Sequence, residues 1–113
     1  MVDALLESEH AVEIASSVLQ AASEGGHIEV VERLLSAGAN VNADPAGDNR
    51  WTALQAASGG GHIEVVERLL SAGANVNADP ARDDGRTALQ AASEGGHIEV
   101  VERLRAAGAR SSL

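Results

Sequence analysis

The chain has no cysteine, no phenylalanine and no tyrosine, and only one tryptophan and two prolines in 113 residues. Without cysteine there are no disulfides and no thiolate metal sites, which agrees with a reducing compartment and makes a cytoplasmic location the expectation. The near absence of aromatics leaves an apolar fraction of 44% to Ala, Val, Leu and Ile. Such small and branched side chains suit thin, closely stacked elements better than a thick globular centre. No apolar run approaches the roughly 18 residues that read as a membrane span. Basic residues are also scarce: 8 Lys and Arg stand against 17 Asp and Glu, for a formal charge of −9. That balance repels phosphate backbones and anionic lipid, so nucleic acid and membrane surfaces are excluded as expected partners.

What is present is repetition. Leu19, Leu54 and Leu89 lie 35 residues apart, as do His27, His62 and His97. Residues 19–46, LQAASEGGHIEVVERLLSAGANVNADPA, match residues 54–81 except that Glu24 becomes Gly59. The third copy, residues 89–109, differs from the first only where Leu35 and Ser36 become Arg105 and Ala106. Near-identity of this degree fits a recent duplication or a consensus-style sequence, and the sequence does not separate the two. A fixed period of this length indicates a solenoid whose units each lean on a neighbour.

Each unit carries two helical signals. In TALQAAS, Thr52 stands at an N-cap position before good helix formers and a glycine run, which predicts a helix of about two turns. In IEVVERLLSAG, Ile63, Val66 and Leu70 form one stripe with Val65 and Leu69 beside it, while Glu64, Glu67 and Arg68 face away. Gly73 supplies a left-handed C-cap. The pairs Glu29 with Arg33, Glu64 with Arg68 and Glu99 with Arg103 are spaced for i to i+4 ion pairs of roughly 0.2 to 0.5 kcal/mol each. ANVNADPA then turns polar and extended, and Pro45 and Pro80 bar a helix there.

The recurring T-A-L-Q-A-A, G-H-x-E-V-V and L-L-x-x-G-A-x-V-N-A resemble the ankyrin repeat over about residues 17–113. The resemblance implies an all-α solenoid of helix-turn-helix units joined by extended β-hairpin-like loops. Two departures stand out. Ala53 and Gln55 replace the proline and histidine of the family's usual T-P-L-H opening, and the period is 35 rather than 33, with the extra pair in the loop. The Ala-Leu-Gln opening is similar to that of fungal ankyrin repeat tracts, which are often found at the ends of larger signalling receptors.

The expected organisation is one domain: an N-terminal helical cap at 1–16, repeats at 17–51 and 52–86, and a third repeat with a C-terminal cap at 87–113. In residues 3–16, Leu5, Val12, Ala15 and Leu19 mark an amphipathic helix that begins near Asp3 and runs into the first repeat. It is expected to cover the open N-terminal face of the stack, or else to dock on a partner or a second copy. Arg105 replaces a stripe leucine where no further unit follows, so it reads as a cap, with residues 110–113 as a frayed end.

No residue pattern points to catalysis, and no cofactor is expected. Packed helices lie roughly 8 to 10 Å apart, whereas zinc needs imidazole nitrogens near 2.0 to 2.1 Å, so histidines recurring once per unit do not share one ion. The family resemblance implies instead that the Gly-His step caps the second helix and ties the turn to its neighbour. Gly59, Gly60 and Gly61 lack the Lys-Ser/Thr that completes a phosphate-cradling loop. The Asp and Asn residues at 40, 42, 44, 48 and 49, and at 75, 77, 79, 83 and 84, lack the twelfth-position Glu of a calcium loop and read as turn formers.

A surface for a protein partner remains. The resemblance places binding on the loop fingers and the exposed side of the short helices. The matching positions are Asp48, Asn49 and Trp51 in the first finger, Arg82, Asp83, Asp84 and Arg86 in the second, and Ser23, Glu24, Ser58, Gly59, Ser93 and Glu94 on the short helices. The copies differ at Gly47/Arg82, Asn49/Asp84, Arg50/Gly85, Trp51/Arg86 and Gly59/Glu94. Trp and Arg are frequent hot-spot types. Trp51 therefore reads as a partner contact, or as a loop residue lying against its own finger. The expectation is a non-catalytic binding module for a partner of some basic character, as a monomer or weak homodimer. The alternative is a structural or self-associating repeat unit, such as a piece of a larger fungal-type signalling receptor or a consensus-like sequence.

Overall fold

The computed structural model describes residues 9–43, 51–78 and 87–109, with side chains from Ile14 onward. Six helices follow one another there: α1 Glu9–Gly25, α2 Ile28–Ser36, α3 Ala53–Gly59, α4 Ile63–Ser71, α5 Ala88–Glu94 and α6 Ile98–Ala106. They form three helix-turn-helix units, and the described residues hold no strand. The longer fingers expected at 44–50 and 79–86 lie outside the described residues.

The first helix of each unit stacks on the first helix of the next, the long α1 on the short α3 and α3 on the short α5, while α2, α4 and α6 form a second row. Between the rows runs one apolar seam built from Leu19, Leu54, Val66, Leu69, Leu89 and Leu104 with the small Ala57 and Ala92. Alanine at the contact positions lets the rows approach closely, and each buried leucine contributes roughly 1.5 to 3 kcal/mol. A single unit could not enclose such residues, so stability comes from neighbours.

The opening of α3 explains why Gln55 serves where the family uses histidine. The Thr52 hydroxyl accepts from the Gln55 backbone N–H, and Gln55 Oε1 accepts from the Thr52 N–H at 2.9 Å, a full capping box. Gln55 Nε2 then donates to Ala78 O at 3.1 Å, tying the helix to the loop that leaves its own unit. Thr87 and Gln90 repeat the box on α5, and Gln20 Nε2 donates to Ala43 O.

Asparagines stitch the loops. Asn42 Oδ1 accepts from Asn75 N, and Asn42 Nδ2 donates to Gly73 O at 3.0 Å. Asn77 makes the equivalent bond to Gly108 O. Asn40 and Asn75 each accept from a backbone N–H two residues on, so these two members of the Asp/Asn series are turn formers, whereas Asn42 and Asn77 join one unit to the next.

The Gly-Gly-His turn joins successive units. Gly61 has φ 71°, and a Cβ there would collide with the His97 ring, so both conformation and close approach demand glycine. His97 Nε2 donates to Gly59 O at 3.1 Å, and His62 Nε2 to Glu24 O at 3.0 Å. The histidines occupy the N-cap positions of α2, α4 and α6, but their side chains make no capping bond. The bonds of His62 and His97 go to the neighbouring unit, which corrects the capping half of the expectation and supports the tying half for these two.

The i to i+4 ion pairs also differ from expectation. Arg68 Nε approaches Glu32 Oε2 at 3.8 Å, across α2 and α4, rather than Glu64 on its own helix. Both groups are well exposed, so the contact adds little.

At the N-terminal end, α1 is one continuous helix because no proline or glycine precedes Gly25. Its expected start near Asp3, and His10's side chain, lie outside the described residues. Residues 9–16 prolong the axis of α1 rather than cross the open face, where Val30 is 43% exposed against 1% for its register mates Val65 and Val100. Ile14 and Val18 are exposed beside it. At the other end Leu35 and Leu70 are half-buried on the core, whereas Arg105 is exposed.

Candidate functional site

The short helices carry an open groove of about 410 Å³ lined by Glu24, Trp51, Gln55, Ala56, Gly59, Gly60 and Ala91. Gln55 and Gly59, four residues apart, share one face of α3, and Trp51, just before the extended N-cap Thr52, closes the groove at the entrance to the helix. Glu24 at the end of α1 and Ala91 on α5 supply the flanks, so the first helix of every unit contributes.

Trp51 precedes the Thr52 N-cap and is half-buried. It stands at N′ and Ala56 at N4, the positions of a hydrophobic staple, which fixes the angle at which the chain enters α3. The indole thus has a local structural role, and its remaining exposed part faces the groove. Gly59 is the last residue of α3, and a Cβ added there would meet only Ala91 Cβ at 3.5 Å, an ordinary contact. Neither packing nor backbone conformation requires this glycine. Its effect is to leave empty the place where repeats one and three carry Glu24 and Glu94.

Polar capacity in the groove is uneven. The backbone carbonyls of Glu24 and Gly59 already accept from His62 and His97. Gln55 is 1% exposed and committed to its cap and to Ala78. The Glu24 carboxylate is exposed and has no hydrogen-bond or ion-pair partner among the described residues. Among the described residues it is the charged group on this wall without a partner.

The other sequence-derived site residues divide. Ser93 and Glu94 are exposed on α5, away from the groove lining. Ser58 is 0% exposed, as is Ser23, so neither hydroxyl is available to a partner. The reason is spacing: Ser58 lies four residues after Leu54, on the face that stacks, and the following unit covers it. Ser93 has the same register with no following unit among the described residues. The i+4 relation to Leu54 was legible in the sequence and marks Ser58 as framework. Asp48, Asn49, Arg82, Asp83, Asp84 and Arg86 lie outside the described residues.

Among the described residues no group of three or more His, Asp or Glu side chains is placed to hold a metal ion. No helix there is long and apolar enough to cross a membrane. No curated protein matches the chain significantly. The family described as Ankyrin repeats (3 copies) matches residues 1–80 and again 18–112, and the paired helices, Gly-His turns and stacked rows agree with it. Ankyrin repeats are generally protein–protein interaction modules, typically without catalytic activity. The chain belongs to the ankyrin repeat family.

Proposed function

We propose that the chain is a non-catalytic protein-binding module that receives its partner on the face of short helices centred on Trp51. The observation that carries this reading is a coincidence of place. Two of the few positions at which otherwise identical repeats depart, Trp51 and Gly59, line the same groove. A framework under stacking constraint alone gives no reason for an indole and a missing glutamate to meet. The finger residues Asp48, Asn49, Arg82, Asp83, Asp84 and Arg86 would extend the contact, with Ser93 and Glu94 on its far side.

Differential capture from the source cell tests the reading. Proteins retained by the wild type should be depleted on Trp51→Ala and kept on Glu67→Ala, an exposed change on α4. The Trp51 variant should unfold within about 1 kcal/mol of the wild type, because the truncated side chain is only half-buried. An identical retained set for all three proteins would overturn the proposal.

A second reading is favoured by one observation: Ile14, Val18 and Val30 are exposed together at the N-terminal end. Self-association through that face is the structural alternative. Light scattering at increasing concentration separates the two, since a monomer throughout would remove self-association.

A further inference from the structure

Resting on the reading above and deepening it, we infer that the groove between Trp51 and Glu24 takes an arginine side chain of the partner. Three features of the groove converge on that occupant. An indole surface forms one wall, a carboxylate without an ion-pair partner among the described residues forms another, and the missing side chain at Gly59 opens the space between them.

A purely apolar occupant would place Glu24 beside a group that cannot satisfy it, and an anion would be repelled by Glu24 and by the chain's charge of −9. A guanidinium meets both walls at once, stacking its flat face on the indole while its N–H fork pairs with the carboxylate. Lysine offers a point charge without a stacking plane, so it fits the same walls less well. The two backbone carbonyls nearby each already accept one bond, from His62 and His97, and a carboxylate is the stronger acceptor for a guanidinium, so Glu24 is the recognition group.

The chain's only aromatic residue stands in the site, so its emission reports occupancy directly. The probe is the capped pentapeptide Gly-Gly-Arg-Gly-Gly, titrated against the whole chain and compared with versions carrying citrulline, lysine or leucine at the centre. The arginine peptide should shift Trp51 emission saturably. Citrulline, of the same shape without charge, and leucine should bind at least about fivefold more weakly, lysine falling between. Glu24→Gln, at an exposed position that leaves the fold intact, should weaken arginine binding by about two- to fivefold and flatten its salt dependence. Gly59→Leu should fill the groove and abolish the response, with the unfolding midpoint measured alongside. Equal responses to leucine and arginine, or an unchanged affinity in Glu24→Gln, would overturn the inference. So would the absence of any saturable response. In each of those cases depletion of captured proteins by Trp51→Ala would still stand, so the failure of arginine recognition is distinguishable from the failure of the binding face.

Discussion

Val30, Val65 and Val100 occupy one register position in three copies of the same helix, yet the first is 43% exposed and the others 1%. Substituting each by alanine therefore isolates what stacking contributes. Truncation removes two methyl groups, worth roughly 1.6 kcal/mol of transfer free energy when fully buried, and an enclosed site adds a cavity term. The gain in helix propensity from valine to alanine, about 0.5 kcal/mol, is common to all three sites and cancels between them. At Val65 and Val100 the expected loss is about 1.5 to 2.5 kcal/mol. At Val30 about half of the transfer term remains and no closed cavity forms, so the net effect is about 0 to 0.5 kcal/mol. Urea unfolding followed by helical circular dichroism resolves such a gap, provided the slope is the same in all variants. A loss at Val30 equal to that at Val65 would refute the reasoning, because it would mean that the N-terminal face is covered in solution.

Other changes probe separate elements. Ser58→Ala removes a fully buried hydroxyl that has no hydrogen-bond partner among the described residues, so stability should rise by about 1 kcal/mol, while exposed Ser93→Ala should change it by no more than its helix propensity; destabilisation at Ser58 would show that its hydroxyl has a partner in solution. Asn42→Ala deletes both bonds that join two loops and should cost about 1 to 2 kcal/mol in chemical denaturation, a value near zero showing that water replaces them without loss. Arg105→Leu puts an apolar side chain on the exposed end of the stack and should promote association visible by light scattering; an unchanged monomer would count against Arg105 as a cap.

Much of the fold was legible because it rests on local chemistry that repeats. The N-cap at Thr52, the left-handed Gly73 with φ 94°, and the stripe of α4 are each fixed by a few adjacent residues. What was not legible belongs to relations between units. Arg68 turns to Glu32 of the preceding repeat, and His62 and His97 bond the preceding turn, a tie that the family resemblance implied but no residue of the unit itself encodes. No spacing within one unit encodes a partner in the next. Ser58 lies between these cases. Its i+4 relation to Leu54 was readable, but a helix of seven residues gives too few positions to show which face stacks and which faces the groove.

The same identity of the repeats limits where recognition can reside. Ser23 and Ser58 are buried and Ser93 is exposed, as Val65 and Val100 are buried and Val30 is exposed, although the residue does not change within either set. Position in the described stack thus creates different surfaces from one framework, and at each of these two register positions an outer unit differs from the middle one with no change of residue. A partner that read only framework residues would find such differences at the ends. Discrimination in the middle of the stack has to come from side chains that differ between copies, and Trp51 with Gly59 is the pair of such positions that line one groove, at the two ends of α3. Restoring glutamate at Gly59 separates these sources: it returns the framework residue, leaves the ends unchanged, and should still remove whatever binding depends on the open groove.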